Sequence, residues 1–153
     1  MDLKINGAIK SAEELVKSLN EATEDVTLVI NSPGGSVLEG LQVVNAIRNC
    51  KQKVTAKVEV MACSMAGVVA LACHRLIMHK DDLLMLHNCM SYAEGNKEEI
   101  ANAIESMKAI DAVLHSIVME HAKDKTLDAR IDNGEVWLNG EQAAAMFDHV
   151  TIE

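Results

Sequence analysis

Val60-Met61-Ala62-Cys63-Ser64-Met65-Ala66-Gly67-Val68 is the stretch whose reading decides the fold. Upstream of it, Val54, Ala56, Val58 and Val60 alternate with Thr55, Lys57 and Glu59. A period of two marks a strand with one buried face. Downstream, residues 66–72 carry no charge and no proline, the pattern of a buried helix start. Ser64 therefore stands where a strand hands over to a helix. Its hydroxyl is expected to leave the strand end close to the free N–H groups of the first helical turn. Exposure and nearby donors are what a nucleophilic serine needs. Taken alone, the stretch fits a plainer role better, that of a small helix N-cap.

The flanking sequence extends the alternation of strand and helix. Leu3 and Ile5 before Gly7 read as a short first strand. Ser11 with Glu14 has the spacing of a capping box that opens a helix carrying Leu15, Val16 and Leu19. Residues 26–30 form a β-branched apolar run, consistent with a buried parallel strand. It stops at Asn31-Ser32-Pro33-Gly34-Gly35-Ser36, after which Val37, Leu41, Val44 and Ile47 recur at helical spacing. Past Ser64, Leu76-Ile77-Met78 and residues 83–86 are two short strands around Lys80-Asp81-Asp82, whose acids read as solvated. Asn96 with Glu99 caps a long helix with an apolar stripe of Ile100, Ile104, Met107, Ile110, Leu114 and Ile117, ending near Ala122. At 1.5 Å per residue it spans roughly 40 Å, long enough to project and pack against another subunit. Trp137 to Ala143 starts a last helix, and residues 150–152 a last strand. The alternation predicts an α/β fold with a mainly parallel sheet. With no repeat and no linker, residues 1–153 are expected to form a single domain.

Composition narrows the function. A net charge of −9 argues against nucleic acid as a partner. Cys50, Cys63, Cys73 and Cys89 show neither CxxC nor zinc spacing. No metal and no cofactor are expected. No signal peptide and no apolar run of membrane-spanning length is present, so no membrane association and a reducing cytoplasm are expected.

Two groups of residues are candidates for chemistry. Gly34 and Gly35 sit between strand and helix, where they allow positive φ and close backbone approach. They make a tight turn, or an extended backbone offering N–H groups to a peptide or an oxyanion; neither phosphate-loop pattern is present. His87 is the one histidine at a strand end in apolar context, a place more often structural than catalytic. His74 and His79 flank a turn and are expected to face solvent, His115 and His121 are on a helix surface, and His149 is near the end of the chain.

Taken together and in order, these segments resemble the ClpP serine peptidase family. Ile30 to Gly40 is similar to its strand–glycine turn, Met61-Ala62-Cys63-Ser64-Met65-Ala66 to its nucleophile segment, and Leu84-Met85-Leu86-His87-Asn88 to its histidine strand. The long capped helix occupies the place of its handle, and Trp137-Leu138-Asn139-Gly140-Glu141-Gln142-Ala143 resembles its closing motif. The resemblance implies a repeated ββα spiral of the ClpP/crotonase type with a protruding handle helix. The short start, the tryptophan and the compact size look most like the phage and prophage branch, which includes prohead maturation proteases.

That resemblance implies Ser64 as nucleophile, His87 as general base, and the N–H groups of Gly35 and Met65 as the oxyanion hole. It implies that the Gly34-Gly35 backbone binds an extended protein or peptide substrate. The third member is usually an aspartate two residues before the closing aromatic; Glu135 stands there, with Asp132 and Asp111 as alternatives, and a dyad without an acid is a further one. The family's proline after the histidine is replaced by Asn88-Cys89-Met90, and Cys63 replaces a small alanine. A homo-oligomeric ring of six or seven subunits, in stacked form, is implied. The short residues 3–7 leave little chain for an axial gate, so an ATPase partner is not expected. Two rival readings stay open: an inactive ClpP-like assembly protein, and a crotonase-type acyl-CoA enzyme with a backbone oxyanion hole.

Overall fold

Strand β3 (Val54–Cys63) is the axis of the molecule. The computed structural model describes residues 1–153, and in it β3 is the longest strand and has the most neighbours. Along one edge it pairs in parallel with β2 (Val26–Ser32), which pairs in parallel with β1 (Asp2–Asn6). On its other edge the first half of β3 pairs with β4 (Arg75–Met78), and the last three residues pair with β5 (Leu83–Leu86). One long strand thus serves two short ones in succession, which curls the sheet over the end of β3. Strand β6 (Val136–Asn139) adds antiparallel to β5, and β7 (Val150–Ile152) adds parallel to β4. The architecture is mixed α/β with a mainly parallel sheet, as the alternating periodicities predict.

The change of partner coincides with an irregularity. Ile30 pairs with Val58 and Ser32 with Ala62, so β3 gains length over β2 between those points. Val60, inside this bulge, has φ of +77°, a costly conformation for a β-branched residue. Its N–H is not lost to the distortion, because Asp82 Oδ1 accepts it at 3.0 Å. Asp82 Oδ2 accepts the N–H of His79 at 2.8 Å. Asp82 is only 7% exposed. The expectation of a solvated Asp82 is therefore corrected: its carboxylate is a buried acceptor that holds the β4–β5 turn against the bulge.

Helices α1 (Glu13–Asn20), α2 (Val37–Asn49) and α3 (Met65–Ala72) follow their strands. From Met65 to Leu71 every residue of α3 is buried, which its uninterrupted apolar sequence requires. The Ser11–Glu14 capping box does not form; Ala12 is the N-cap of α1, and its N–H donates to Glu39 Oε2 at 2.7 Å. A carboxylate from the first turn of α2 supplies what the local sequence offered. Helix α4 (Lys97–Met119) does open on the predicted Asn96–Glu99 capping box. It ends before Ala122 and is about 34 Å long at 1.5 Å per residue. Only Leu114, Ile117 and Val118 of α4 are buried, whereas Ile100, Ile104 and Val113 are exposed. Helix α5 (Leu127–Asp132), unforeseen, is anchored by the buried Leu127 and Ile131. The last helix, α6 (Gly140–Met146), has its own capping box from Asn139 and Gln142. No helix is long and apolar enough to cross a membrane. All four cysteines are free.

Candidate active site

Ser64 connects β3 to α3 in a conformation that few residues adopt, φ 55° and ψ −127°. Such strain is held only where the surroundings over-determine it. Here the Ser64 N–H donates to the Met85 carbonyl on β5 at 2.8 Å, and the Ser64 carbonyl accepts from Val68 at 3.2 Å. The backbone is pinned on both sides, and the side chain is thrown outward at a strand-to-helix elbow. Ser64 occupies the N-cap position of α3, but its hydroxyl caps nothing. It lies 2.7 Å from His87 Nε2. The plainer N-cap role is thus set aside by geometry.

His87 immediately follows β5, beside the strand that carries Ser64. The chain beyond it is fastened from α4. Asp111 Oδ1 accepts the Cys89 N–H at 2.7 Å, and His115 Nε2 donates to Asn88 Oδ1 at 2.7 Å. Asn88 Nδ2 in turn donates to Asp132 Oδ1 at 3.0 Å, at the end of α5. Asn88 and His115 were not singled out from sequence for this role. A signal existed: Asp111 and His115 are four apart on one helix, so they share a face.

The three candidate acids separate cleanly. Asp111 is spent on the Cys89 backbone and Asp132 on Asn88. Glu135 Oε2 accepts from Trp137 Nε1 at 2.8 Å. None of the three accepts a hydrogen bond from His87. Glu135 alone of them lines the cleft that holds Ser64 and His87. Its charge is also felt there: burial first, and then the Glu135 carboxylate, push the Cys63 thiol up from its ordinary range.

The glycine turn meets the elbow directly. Gly34 has φ of +103°, and a Cβ there would stand 2.7 Å from Ser64 Cβ and 2.8 Å from the Cys63 carbonyl oxygen. Only glycine fits between the two segments. Gly35, at φ +151°, forms a parallel bridge with Ile9. The Ile9 N–H donates to the Gly34 carbonyl at 2.8 Å, and the Ser36 N–H to the Ile9 carbonyl at 2.9 Å. The Gly34 N–H donates to the buried Ser32 Oγ at 3.1 Å. Both polar groups of the Gly34 backbone are therefore engaged within the chain, whereas those of Gly35 have no partner in it. The Met65 N–H is the first of α3 and has no intrahelical acceptor. Gly35 and Met65 line the same cleft as Ser64 and His87, a space of about 440 Å³ walled also by Pro33, Val37, Val68 and Leu114.

A base in contact with a hydroxyl, beside backbone donors at a helix N-terminus, is a constellation suited to acyl transfer. The Clp protease family model matches residues 6–150, nearly the whole chain. The chain belongs to the Clp protease family. Its parallel sheet and flanking helices are consistent with the ClpP fold. It is 30% identical over 128 residues to the ATP-dependent Clp protease proteolytic subunit of Carsonella ruddii (strain PV), covering 78% of this chain and 66% of that protein. Against the protein of the same name from Leuconostoc citreum (strain KM20) the identity is 29% over 141 residues, with 88% and 70% covered. Against that of Bacteroides fragilis it is 27% over 135 residues, with 85% and 65% covered. The chain thus spans about two thirds of the length of the Clp relatives it matches.

Proposed function

We propose that this member of the Clp family is a serine-type endopeptidase with Ser64 as nucleophile and His87 as general base. The observation that carries the reading is the 2.7 Å contact of Ser64 Oγ with His87 Nε2 at a strained elbow. His87 Nε2 takes the hydroxyl proton as Oγ bonds to the scissile carbonyl carbon. The carbonyl oxygen becomes an oxyanion, received by the N–H groups of Gly35 and Met65. The imidazolium then gives its proton to the leaving amine as the C–N bond breaks, leaving an ester on Ser64 that water hydrolyses by the same steps. Glu135 is proposed as the carboxylate that orients His87, because it is the one that shares the cleft.

The substrate reading follows from the walls. An extended peptide can pair with the Gly35 backbone by strand addition. The apolar side chains of Val37, Met65, Val68 and Leu114 suit an apolar residue beside the cleaved bond. Short peptides need no unfolding, so their cleavage is expected without an ATPase. The exposed Ile100, Ile104 and Val113 on α4 support self-assembly through that helix, and the stacked rings of six or seven copies are proposed from the resemblance to the family. Four free cysteines support a cytoplasmic location. The finer placement, with phage structural or scaffold protein as substrate, rests on the Trp137 closing motif.

One observation favours a second reading, an assembly protein without catalysis: no carboxylate hydrogen-bonds His87. The test is hydrolysis of a fluorogenic peptide with an apolar residue before the cleaved bond, by assembled protein without ATP. Turnover that disappears in Ser64→Ala and His87→Ala supports the peptidase. Turnover that survives in Ser64→Ala, or assembled rings with none at all, sinks it.

A further inference from the structure

A second cluster of chemically competent side chains lies just past the C-terminal end of α4. Residues 121–123 and 146–148 run antiparallel through a bridge between Ala122 and Phe147. The Lys123 N–H donates to the Met146 carbonyl at 2.8 Å and the Asp148 N–H to the His121 carbonyl at 3.0 Å. This pairing sets His121 opposite Asp148 and His149. His121 Nδ1 lies 2.9 Å from Asp148 Oδ1, and His149 Nδ1 lies 3.9 Å from the same oxygen. All three atoms are within 4.8 Å of one another.

We propose that His121, Asp148 and His149 bind a late first-row divalent cation of the zinc type. The decisive residue is His149. Its side chain is only 7% exposed, and its Nδ1 is buried without a hydrogen-bond partner. Its Nε2 donates to the Leu71 carbonyl at 3.0 Å. That bond fixes the tautomer with the proton on Nε2 and an unshared pair on Nδ1, which lies 3.9 Å from Asp148 Oδ1. A ring nitrogen made basic and aimed by a carbonyl on its other side is how metal-bound histidines are normally held. A buried acceptor with no partner is otherwise a net cost.

The three ligand atoms lie close enough for one ion to gather them. In a tetrahedral zinc site with bonds of about 2.0–2.1 Å, neighbouring ligand atoms stand about 3.3 Å apart. The two edges to Asp148 Oδ1, 2.9 and 3.9 Å, bracket that value. Two imidazoles and one carboxylate select zinc, cobalt, nickel or copper over magnesium or calcium. The site demands one movement. The two rings stack with centroids 3.8 Å apart and planes 21° apart, and an ion has to lie near the plane of each ring it binds. His149 is locked, so His121, whose side chain is 33% exposed, turns out of the stack. Asp148 is largely exposed, which leaves room for water as a fourth ligand. The bound ion would clip the base of α4 to the Leu71 end of α3 and to β7. Sequence spacing hid the group, because 27 positions separate His121 from Asp148.

The test is equilibrium dialysis of untagged full-length protein, stripped with chelator, against zinc equimolar with the chain, together with thermal melting. One zinc per chain and a raised melting temperature are expected, with cobalt giving the intense visible bands of a tetrahedral site. His121→Ala and Asp148→Asn, both at partly open positions, should each weaken binding by about tenfold or more. His87→Ala should bind zinc like the parent. Absence of stoichiometric zinc in the folded parent overturns the proposal. So does equal binding by His121→Ala and Asp148→Asn, or its loss in His87→Ala.

Discussion

The carboxylate of Asp82 accepts the backbone N–H of Val60 at 3.0 Å, from a buried position at the β4–β5 turn. Val60 is the strained residue of the β3 bulge, four positions before Ser64. The bulge carries β3 from its pairing with β4 to its pairing with β5, and so delivers Ser64 to the strand that ends at His87. Asp82→Ala leaves that N–H and the His79 N–H without their acceptor. A buried charge-assisted bond contributes about 1.5–3 kcal/mol, so a loss of that order in urea unfolding is expected. Peptide hydrolysis should fall with it, although Asp82 is outside the cleft. A variant of unchanged stability would show that water replaces the carboxylate.

Gly34→Ala tests the contact between the glycine turn and the elbow. The new Cβ would meet Ser64 Cβ at 2.7 Å in a backbone conformation with φ of +103°. Strain and displacement together predict destabilisation on the order of 2–3 kcal/mol and loss of peptide hydrolysis. Unfolding midpoints and turnover, measured on the same preparation, check it. Parent-like turnover would mean that Gly34 can shift without moving Ser64.

How much of this was readable in advance follows the range of the interactions. Ser64 and His87 each close a strand whose periodicity is visible in residues nearby, so both could be picked out. The Asn96–Glu99 cap was equally local and forms as read. Ser11–Glu14 had the same local pattern and failed, because Glu39 of α2 reaches the Ala12 N–H first. Asp82 looked like a turn residue in solvent. Only the fold brings the β3 bulge over it. The short α5 left a signal that went unused, Leu127 and Ile131 four apart. His149 is near the chain end in sequence, yet its side chain is buried in space, because the Leu76 N–H bonds its carbonyl and Leu71 its ring.

The choice among carboxylates is testable by isosteric amides. Glu135→Gln is expected to lower kcat on the order of a hundred- to ten-thousandfold, the range for losing the residue that orients a catalytic histidine. Asp132→Asn should cost less, since it acts on His87 only through Asn88. Asp111→Asn keeps an oxygen for the Cys89 N–H and should cost least. Trp137→Phe releases Glu135 and should leave kcat intact or raise it. An unaffected Glu135→Gln enzyme would assign catalysis to Ser64 and His87 without an acid.

The thiols report on the native packing. Burial pushes Cys73 up to about 12. Burial, and then the Asp111 carboxylate, push Cys89 up to about 11. At pH 8 the Cys73 thiolate is then roughly one part in ten thousand, and only the thiolate reacts. Ellman's reagent at pH 8 should leave the fully buried Cys73 unmodified in the folded protein and modify the half-buried Cys89 only slowly. All four cysteines should react in denaturant. Rapid modification of Cys73 without unfolding would mean that α3 opens locally.

The central claim is that Ser64 is an activated nucleophile. A fluorophosphonate reports on it directly, because the reagent bonds covalently to a serine whose hydroxyl proton is being accepted and whose oxyanion is being held. Labelling followed by peptide mass spectrometry should give a single adduct, on Ser64, abolished in His87→Ala while that variant keeps the parent's melting temperature. A folded, assembled parent that takes no label, or takes it on another residue, would contradict the account.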